Sequence, residues 1–534
     1  MKRFVALVLL AALPACVAAG EPARLNASTQ PHVLRFASAE EIAGLNPDLN
    51  SQLVVHNISE LTMAFLVRFD RHNRAVPELA TVVPSRANGG VSEDGRTITY
   101  HLRRNVRWSD GAPFNGDDVR FSFDAIDNPA NDIYTRDGFD RITKIDEPNK
   151  ETIVIHMREA YAPFVVTFFA SRGYALLPKH ILGALHDINS APYNSLPVGI
   201  GPFRFTAWHR GESVDMEANP YYWRGLPKLH KIVYEIVPDR NTVMTQLQTG
   251  ELDLAYPFTG SYLPRLTPLR NVALLRQPAY SYDLLALNMT HPVPADRVVR
   301  EALRLATDRA AIRDKIEHGV GVLQEAPMPS IYPGIARLPL VPFDIARANA
   351  LLDRAGWKRA ADGVRVKNGT RLALDFASST GTPDVDESLE LIRAGWQQLG
   401  VAITIKRYPS SVLFAPYADG GILYTGKFDV LALGFSVLAV DGLQTYRCDQ
   451  MPPTGQNFSH YCNRDVDADL RDFDRQFTRE DQARDLNRAL AQIDRDVPVI
   501  VFGGREDLFA YNRDLKHFHP NAVSVFDDMM DVDI

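Results

Sequence analysis

Residues 91–126 read VSEDGRTITYHLRRNVRWSDGAPFNGDDVRFSFDAI, and the fold of the chain is decided in this run. Glu93-Asp94-Gly95 has turn chemistry, and Ile98, Tyr100 and Leu102 alternate with polar residues after it. That alternation predicts a hairpin arm with one buried face, ending at Arg103. Trp108-Ser109-Asp110-Gly111 supplies a second turn, since Asp bonds backbone N–H groups and Gly accepts positive φ. Helix entry follows: Asn115 is the N-cap, Asp118 sits three residues on near the positive helix end, and Phe114 is placed to staple onto Val119. On these features alone Trp108 and Asp110 are structural residues rather than catalytic ones.

Outward from this run, 534 residues exceed one domain core, so two or three lobes are expected. Hydrophobic residues at 46% and charged residues at 23% belong to an ordinary globular protein. The net charge of -7 is spread without a long basic run, which argues against a nucleic-acid partner. The uninterrupted apolar run, Phe4 to Leu13, is too short to cross a bilayer. Preceded by Lys2-Arg3 and followed by small residues, it reads as an export signal. Val17-Ala18-Ala19 fits a cut that frees a soluble protein, with 1–19 as the signal peptide. Leu13-Pro14-Ala15-Cys16 is the alternative, resembling a lipobox in which Cys16 would carry lipid, although Pro14 is unusual there. Cys448 and Cys462 remain as a pair in an exported protein, where a disulfide is the favoured reading and a metal site lacks a neighbouring His pair.

Leu102 to Phe114 with Asp117-Asp118-Val119 resembles the signature of the bacterial family 5 extracellular solute-binding proteins, whose members bind oligopeptides, dipeptides or nickel complexes for ABC importers. Further stretches resemble the family in the same order: Pro77-Glu78-Leu79-Ala80, Gly199-Ile200-Gly201-Pro202-Phe203, Asn219-Pro220-Tyr221-Tyr222-Trp223, Thr249-Gly250-Glu251-Leu252-Asp253 and Val299-Arg300-Glu301-Ala302-Leu303. The likeness runs from about Val33 to about Val525. It implies an α/β, periplasmic-binding-protein-like fold of type II with three lobes and hinge closure on the ligand. Lobe I would comprise 33–65, 195–280 and 505–534, lobe II the insertion 66–194, and lobe III 281–504. It also agrees with the disulfide, because dipeptide-binding relatives carry a cystine before a stretch like Asn457-Phe458-Ser459-His460-Tyr461-Cys462.

No nucleophile with a base is recognisable. Gly434-Phe435-Ser436-Val437-Leu438 lacks the second glycine of a hydrolase elbow, the glycines at 199 and 201 are followed by no Lys-Ser/Thr, and no cofactor or metal motif is present. A binding protein is therefore expected, with an exported hydrolase or a ligand-presenting sensor on the same fold as the alternative; the resemblance implies a peptide-like small molecule and ABC permease subunits as partners, for a monomer in the periplasm. The resemblance implies that Phe435, Ser436, Val437 and Leu438 form the loop that meets the ligand's α-amino group, with Leu438 where peptide-binding relatives carry an aspartate. A leucine cannot neutralise an ammonium, so either another acid such as Asp441 substitutes or the ligand has no free amine there. Glu40 and Asn46 near the first strand, Tyr280 and Tyr282 at the lobe junction, and Phe502 and Arg505 at the returning crossover are further wall candidates.

Overall fold

The computed structural model describes residues 26–534 other than 39–40, 51, 71, 73, 134–135, 137, 172, 381–382, 416, 418–419, 437–442, 454 and 523. Candidates Cys16, Glu40, Val437, Leu438 and Asp441 lie outside the described residues.

The backbone of the molecule is one ten-stranded sheet. Its strands in chain order are β1 Val33–Ser38, β2 Phe203–His209, β3 Ser213–Ala218, β4 Lys231–Ile236, β5 Leu254–Phe258, β6 Val272–Leu287, β7 Ala373–Ser379, β8 Ala402–Tyr408, β9 Val430–Ser436 and β10 Val499–Asn512. Across the sheet they run β8-β7-β9-β6-β10-β5-β1-β4-β3-β2. One half is parallel through β4, β1 and β5, and the other through β8, β7 and β9. The two halves are joined by β6 and β10, which are antiparallel to each other and long enough, at 16 and 14 residues, to belong to both. Their ladder is interrupted twice near the middle, between Pro278 and Tyr282 and between Asp283 and Leu284. Bulges of this kind bend a strand and increase its twist.

Of β6 and β10, the sequence pattern predicts Tyr282 to Asn288 and Val497 to Phe502 as buried strands, with separate short strands in the tail from Arg505. Both strands continue further, through Arg276-Gln277-Pro278 and through Gly503 to Asp507, because their backbones are paired in the sheet although most of these residues are only partly buried. The expected helix from Arg297 to Ile316 is broken as well. Arg297–Leu305 ends, Asp308 accepts from the Ala311 N–H at 3.0 Å to start a new turn, and Ile312–Ile316 follows as a π turn. The apolar segment 162–170 is helical only over Phe164–Thr167, since Phe168 and Phe169 leave the helix to pack edge-on against Phe123 and Phe139.

The opening run folds as its residues predict. Thr97–His101 is a strand of a separate three-stranded antiparallel sheet, and Gly95 and Gly111 take positive φ in the two turns. Asn115 and Asp118 form a capping box on the helix Gly116–Asp127. Trp108 is buried against Phe114, with its indole N–H directed at Asp118 at 3.4 Å. Truncating a fully buried Trp costs about 3–5 kcal/mol, which makes Trp108 a major element of this core. This region also touches the far half of the sheet's surroundings: the Ala162 N–H donates to the Asp474 carbonyl at 2.8 Å, and Arg86 lies 4.5 Å over the Phe477 ring.

Candidate functional site

The carboxyl ends of parallel strands are where open α/β sheets leave ligand crevices, because the connecting loops splay apart there. Both halves of this sheet aim such ends at one cavity of about 590 Å³. Pro257 and Phe258 arrive from the end of β5, Ser379 from β7 and Gly434 from β9, while Asp283 on β6 and Phe502 to Asp507 on β10 line its floor. The helix Pro383–Gln397, which crosses over from β7 to β8, presents Asp384 in its first turn. A volume of this order suits a drug- to tripeptide-sized guest.

The floor is organised by one ion pair. Arg505 Nε donates to both carboxylate oxygens of Asp283, at 2.9 and 3.0 Å, and this carboxylate raises the guanidinium's affinity for its proton. Gly434 makes the crossing possible, since a Cβ there would lie 2.3 Å from Arg505 Nη2. The wall carries two more acids at one short turn. The Gly260 N–H donates to Glu317 Oε2 at 2.8 Å, and the hydroxyls of Thr259 and Ser261 donate to Asp384 Oδ2 at 2.5 and 2.9 Å. Gly260 is required for this docking, because an added Cβ would fall 1.9 Å from the Glu317 carbonyl oxygen. Burial, opposed by the Gly260 N–H and reinforced by Asp384 and Asp283, pushes the Glu317 carboxyl up to about 7. The Val322 segment closes the cavity by pairing with Gly504, and Gly321 N–H donates to Glu506 Oε2 at 2.9 Å.

Of the candidates read from sequence, the structure brings Phe502 and Arg505 together in this cavity, next to Leu433 and Gly434. Phe435 and Tyr282 meet on the opposite face of the sheet, with ring centroids 5.9 Å apart. Tyr280 is 5% exposed within that same apolar cluster. Ser436 is exposed at the end of β9. Asn46 is buried in another place, capping the turn Pro47–Leu49 and donating to Asn194 Oδ1 at 2.9 Å. Sequence reading passed over Asp283, Glu317, Asp384 and Glu506. Asp283 carried a usable signal, as the one acid within the apolar run Tyr282 to Leu287.

A family model, bacterial extracellular solute-binding proteins, family 5 (middle), matches residues 74–445. The chain belongs to this family. Protein XP55 of Streptomyces lividans is 30% identical over 405 residues, covering 74% of this chain and 69% of that protein. The glutathione-binding protein GsiB of Pectobacterium atrosepticum is 26% identical over 445 residues, covering 82% and 83%. The solved oligopeptide-binding protein AppA of Bacillus subtilis, in complex with a nonapeptide, superposes with a TM-score of 0.79 at 20% identity, covering 94% and 98%. The α/β fold built on a large central sheet is that of family 5 binding proteins.

Cys448 and Cys462 form a disulfide with Cα atoms 4.6 Å apart. The loop it closes is further held by Asn457, whose amide donates to the carbonyls of Tyr461 at 2.7 Å and Arg447 at 3.0 Å. Among the described residues no helix is long and apolar enough to cross a membrane, and no cluster of three His, Cys, Asp or Glu residues could hold a metal.

Proposed function

We propose that this chain is the exported solute receptor of an ABC importer, which encloses a small, peptide-like guest and passes it unaltered to the permease. The observation that carries this reading is the cavity's construction: one wall from each half of the sheet, over a floor made of the two strands that join the halves. Bending at the interrupted ladder of β6 and β10 would change the spacing of the walls. A guest that touches both walls would then favour the closed arrangement in proportion to its extra contacts there. On this reading 33–65, 195–280 and 505–534 act as lobe I, 66–194 as lobe II and 281–504 as lobe III, with the lobe borders falling inside β6 and β10. Peptide chemistry is supported by relatives named for glutathione and solved with a nonapeptide.

We place the mature protein in the periplasm as a monomer, released by cleavage after Ala19, with lipid attachment at Cys16 as the other route. Two measurements test the reading. Mass spectrometry of molecules released on denaturing the purified protein identifies the guest. Small-angle scattering should then report a smaller radius of gyration when that guest is restored. An unchanged scattering curve, or a guest returned chemically altered, defeats the proposal.

A further inference from the structure

The charges around the cavity do not balance. Arg505 is engaged by Asp283 on both carboxylate oxygens. Arg313, on the wall, pairs with Asp314 at 2.7 Å. Arg240 lies over the Phe258 ring at 5.4 Å. Against these stand Glu317, Asp384 and Glu506, each of which spends a single oxygen on neutral donors. Among the described residues none of the three forms a direct ion pair, and nothing donates to the second oxygen of any of them; Arg505 reaches Glu317 only through its longer-range field. Unpaired carboxylates in a partly dry cleft are costly, and their summed field attracts cations and repels anions.

Glu317 and Asp384 matter most, because both reach the same three-residue turn, Thr259-Gly260-Ser261, from two different segments of the opposite half. Both carboxylates therefore stand at one short turn where the walls meet, and both line the cavity. Resting on the reading of this cavity as the ligand site, we propose that the guest carries a primary ammonium or guanidinium group, and that Glu317 and Asp384 select it. A leucine at 438 then does not exclude an amine-bearing guest. The acid that meets the amine comes from a different part of the chain than the loop following β9. A guest carboxylate, in contrast, finds Arg505 already occupied.

The groups that face Glu317 are Asp384, Asp283, Glu506, Asp507 and the cations Arg505, Arg313 and Arg240. Burial, with Asp384 and Asp283 adding to it, holds Glu317 protonated up to about pH 7 against the Gly260 N–H and the field of Arg505. A bound cation would reverse that and expel the proton, so its affinity should rise as pH rises through 7.

The test uses the mature protein, stripped of bound molecules by unfolding and refolding, and dialysed against an equimolar mixture of four probes that share an alanyl-alanine core and differ in their end groups and hence in charge. These are alanyl-alanine amide (cation), alanyl-alanine (zwitterion), N-acetyl-alanyl-alanine amide (neutral) and N-acetyl-alanyl-alanine (anion). At pH 8 the cation should be enriched at least tenfold over the neutral and anionic probes, and lowering the pH to 5.5 should erase most of that preference. Glu317→Gln and Asp384→Asn should each reduce it about tenfold. If either variant fails to fold, the wild-type enrichment and its pH dependence decide the matter alone. Enrichment of the neutral or anionic probe overturns the cation proposal and leaves the receptor reading standing. Enrichment of none of the four overturns the cation proposal alone, because the receptor reading is decided by the guest released on denaturation and by scattering with that guest.

Discussion

Tyr282 and Asp283 are neighbours on β6 and live in different solvents. Tyr282 is fully buried, packed with Phe435 and Tyr446 in an aromatic cluster that also takes in Phe69 from the far side. Asp283 turns to the other face of the sheet, into the cavity, and holds Arg505. Alternation along a strand produces this split with a period of two. The same two strands therefore carry a dry face that fixes the halves' packing and a wet face that leaves charges available to a guest. Removing a group from the first should cost stability, whereas removing one from the second should change what is bound.

The largest effect expected from this contrast is at Tyr282. Tyr282→Ala should destabilise the protein by about 3–5 kcal/mol, read by denaturant unfolding, because it opens a cavity in a packed aromatic cluster. Its charge preference among bound probes should stay the same. A large change in preference with intact stability would mean that the two faces are not separate.

The next expectation sharpens the dry side. The disulfide brackets Phe458 and Tyr461, which belong to the same cluster as Tyr282. Replacing both Cys448 and Cys462 with Ser should cost about 3 kcal/mol by releasing a short loop in the unfolded chain. A loss near zero would show that packing of the loop, not the cross-link, holds it.

pH distinguishes the faces again. Glu317 on the wet face, and Asp48 and Glu78 buried elsewhere, are each raised to about 7, chiefly by burial. In the unfolded chain these groups lose their protons near pH 4. Between those limits the folded state binds more protons than the unfolded state, so stability falls as pH rises from about 4 to about 7. Acids held below their usual range, such as Asp70 with Arg74, lose their stabilising contribution only at lower pH. Melting temperature measured across this window should decline, and Glu317→Gln should flatten part of the decline while Tyr282→Ala should not.

The two faces also differ in how far they can be read from sequence. Local patterns were legible, such as the alternating apolar residues and the capping box at Asn115 and Asp118, but on the dry face Tyr280, Tyr282 and Phe435 read in sequence as ligand-wall positions, because an aromatic residue on a strand carries no mark of which face it takes. The resemblance to family 5 rested on such patterns. The wet face was legible only at Phe502 and Arg505. Glu317 and Asp384 lie far apart in the chain and meet only because Gly260 lets the Thr259-Gly260-Ser261 turn approach both. No periodicity records that encounter. The extent of β6 and β10 was missed for a related reason, since charged and glycine-rich residues on a strand that faces a cavity look like the end of the strand.

The smallest stability effect, and the most discriminating for charge, belongs to the Asp283–Arg505 pair. Arg505 is 46% exposed and Asp283 24% exposed in their side chains, so breaking the pair should change stability by only about 1 kcal/mol or less. The two single substitutions should nevertheless move binding in opposite directions. Arg505→Met leaves Asp283 without its partner and makes the cavity more negative, so the cationic probe should bind several-fold more tightly. Asp283→Asn frees the guanidinium and should admit the anionic probe. The double variant should return the preference toward that of the parent chain, because the net charge of the floor is restored. Gly434→Ala offers a check that leaves both charges in place: its methyl group would shift Arg505 off Asp283 without changing the net charge of the floor, so it should move the preference toward the anion less than Asp283→Asn does. Equal effects of Arg505→Met and Asp283→Asn on every probe would mean that the pair holds shape and not charge.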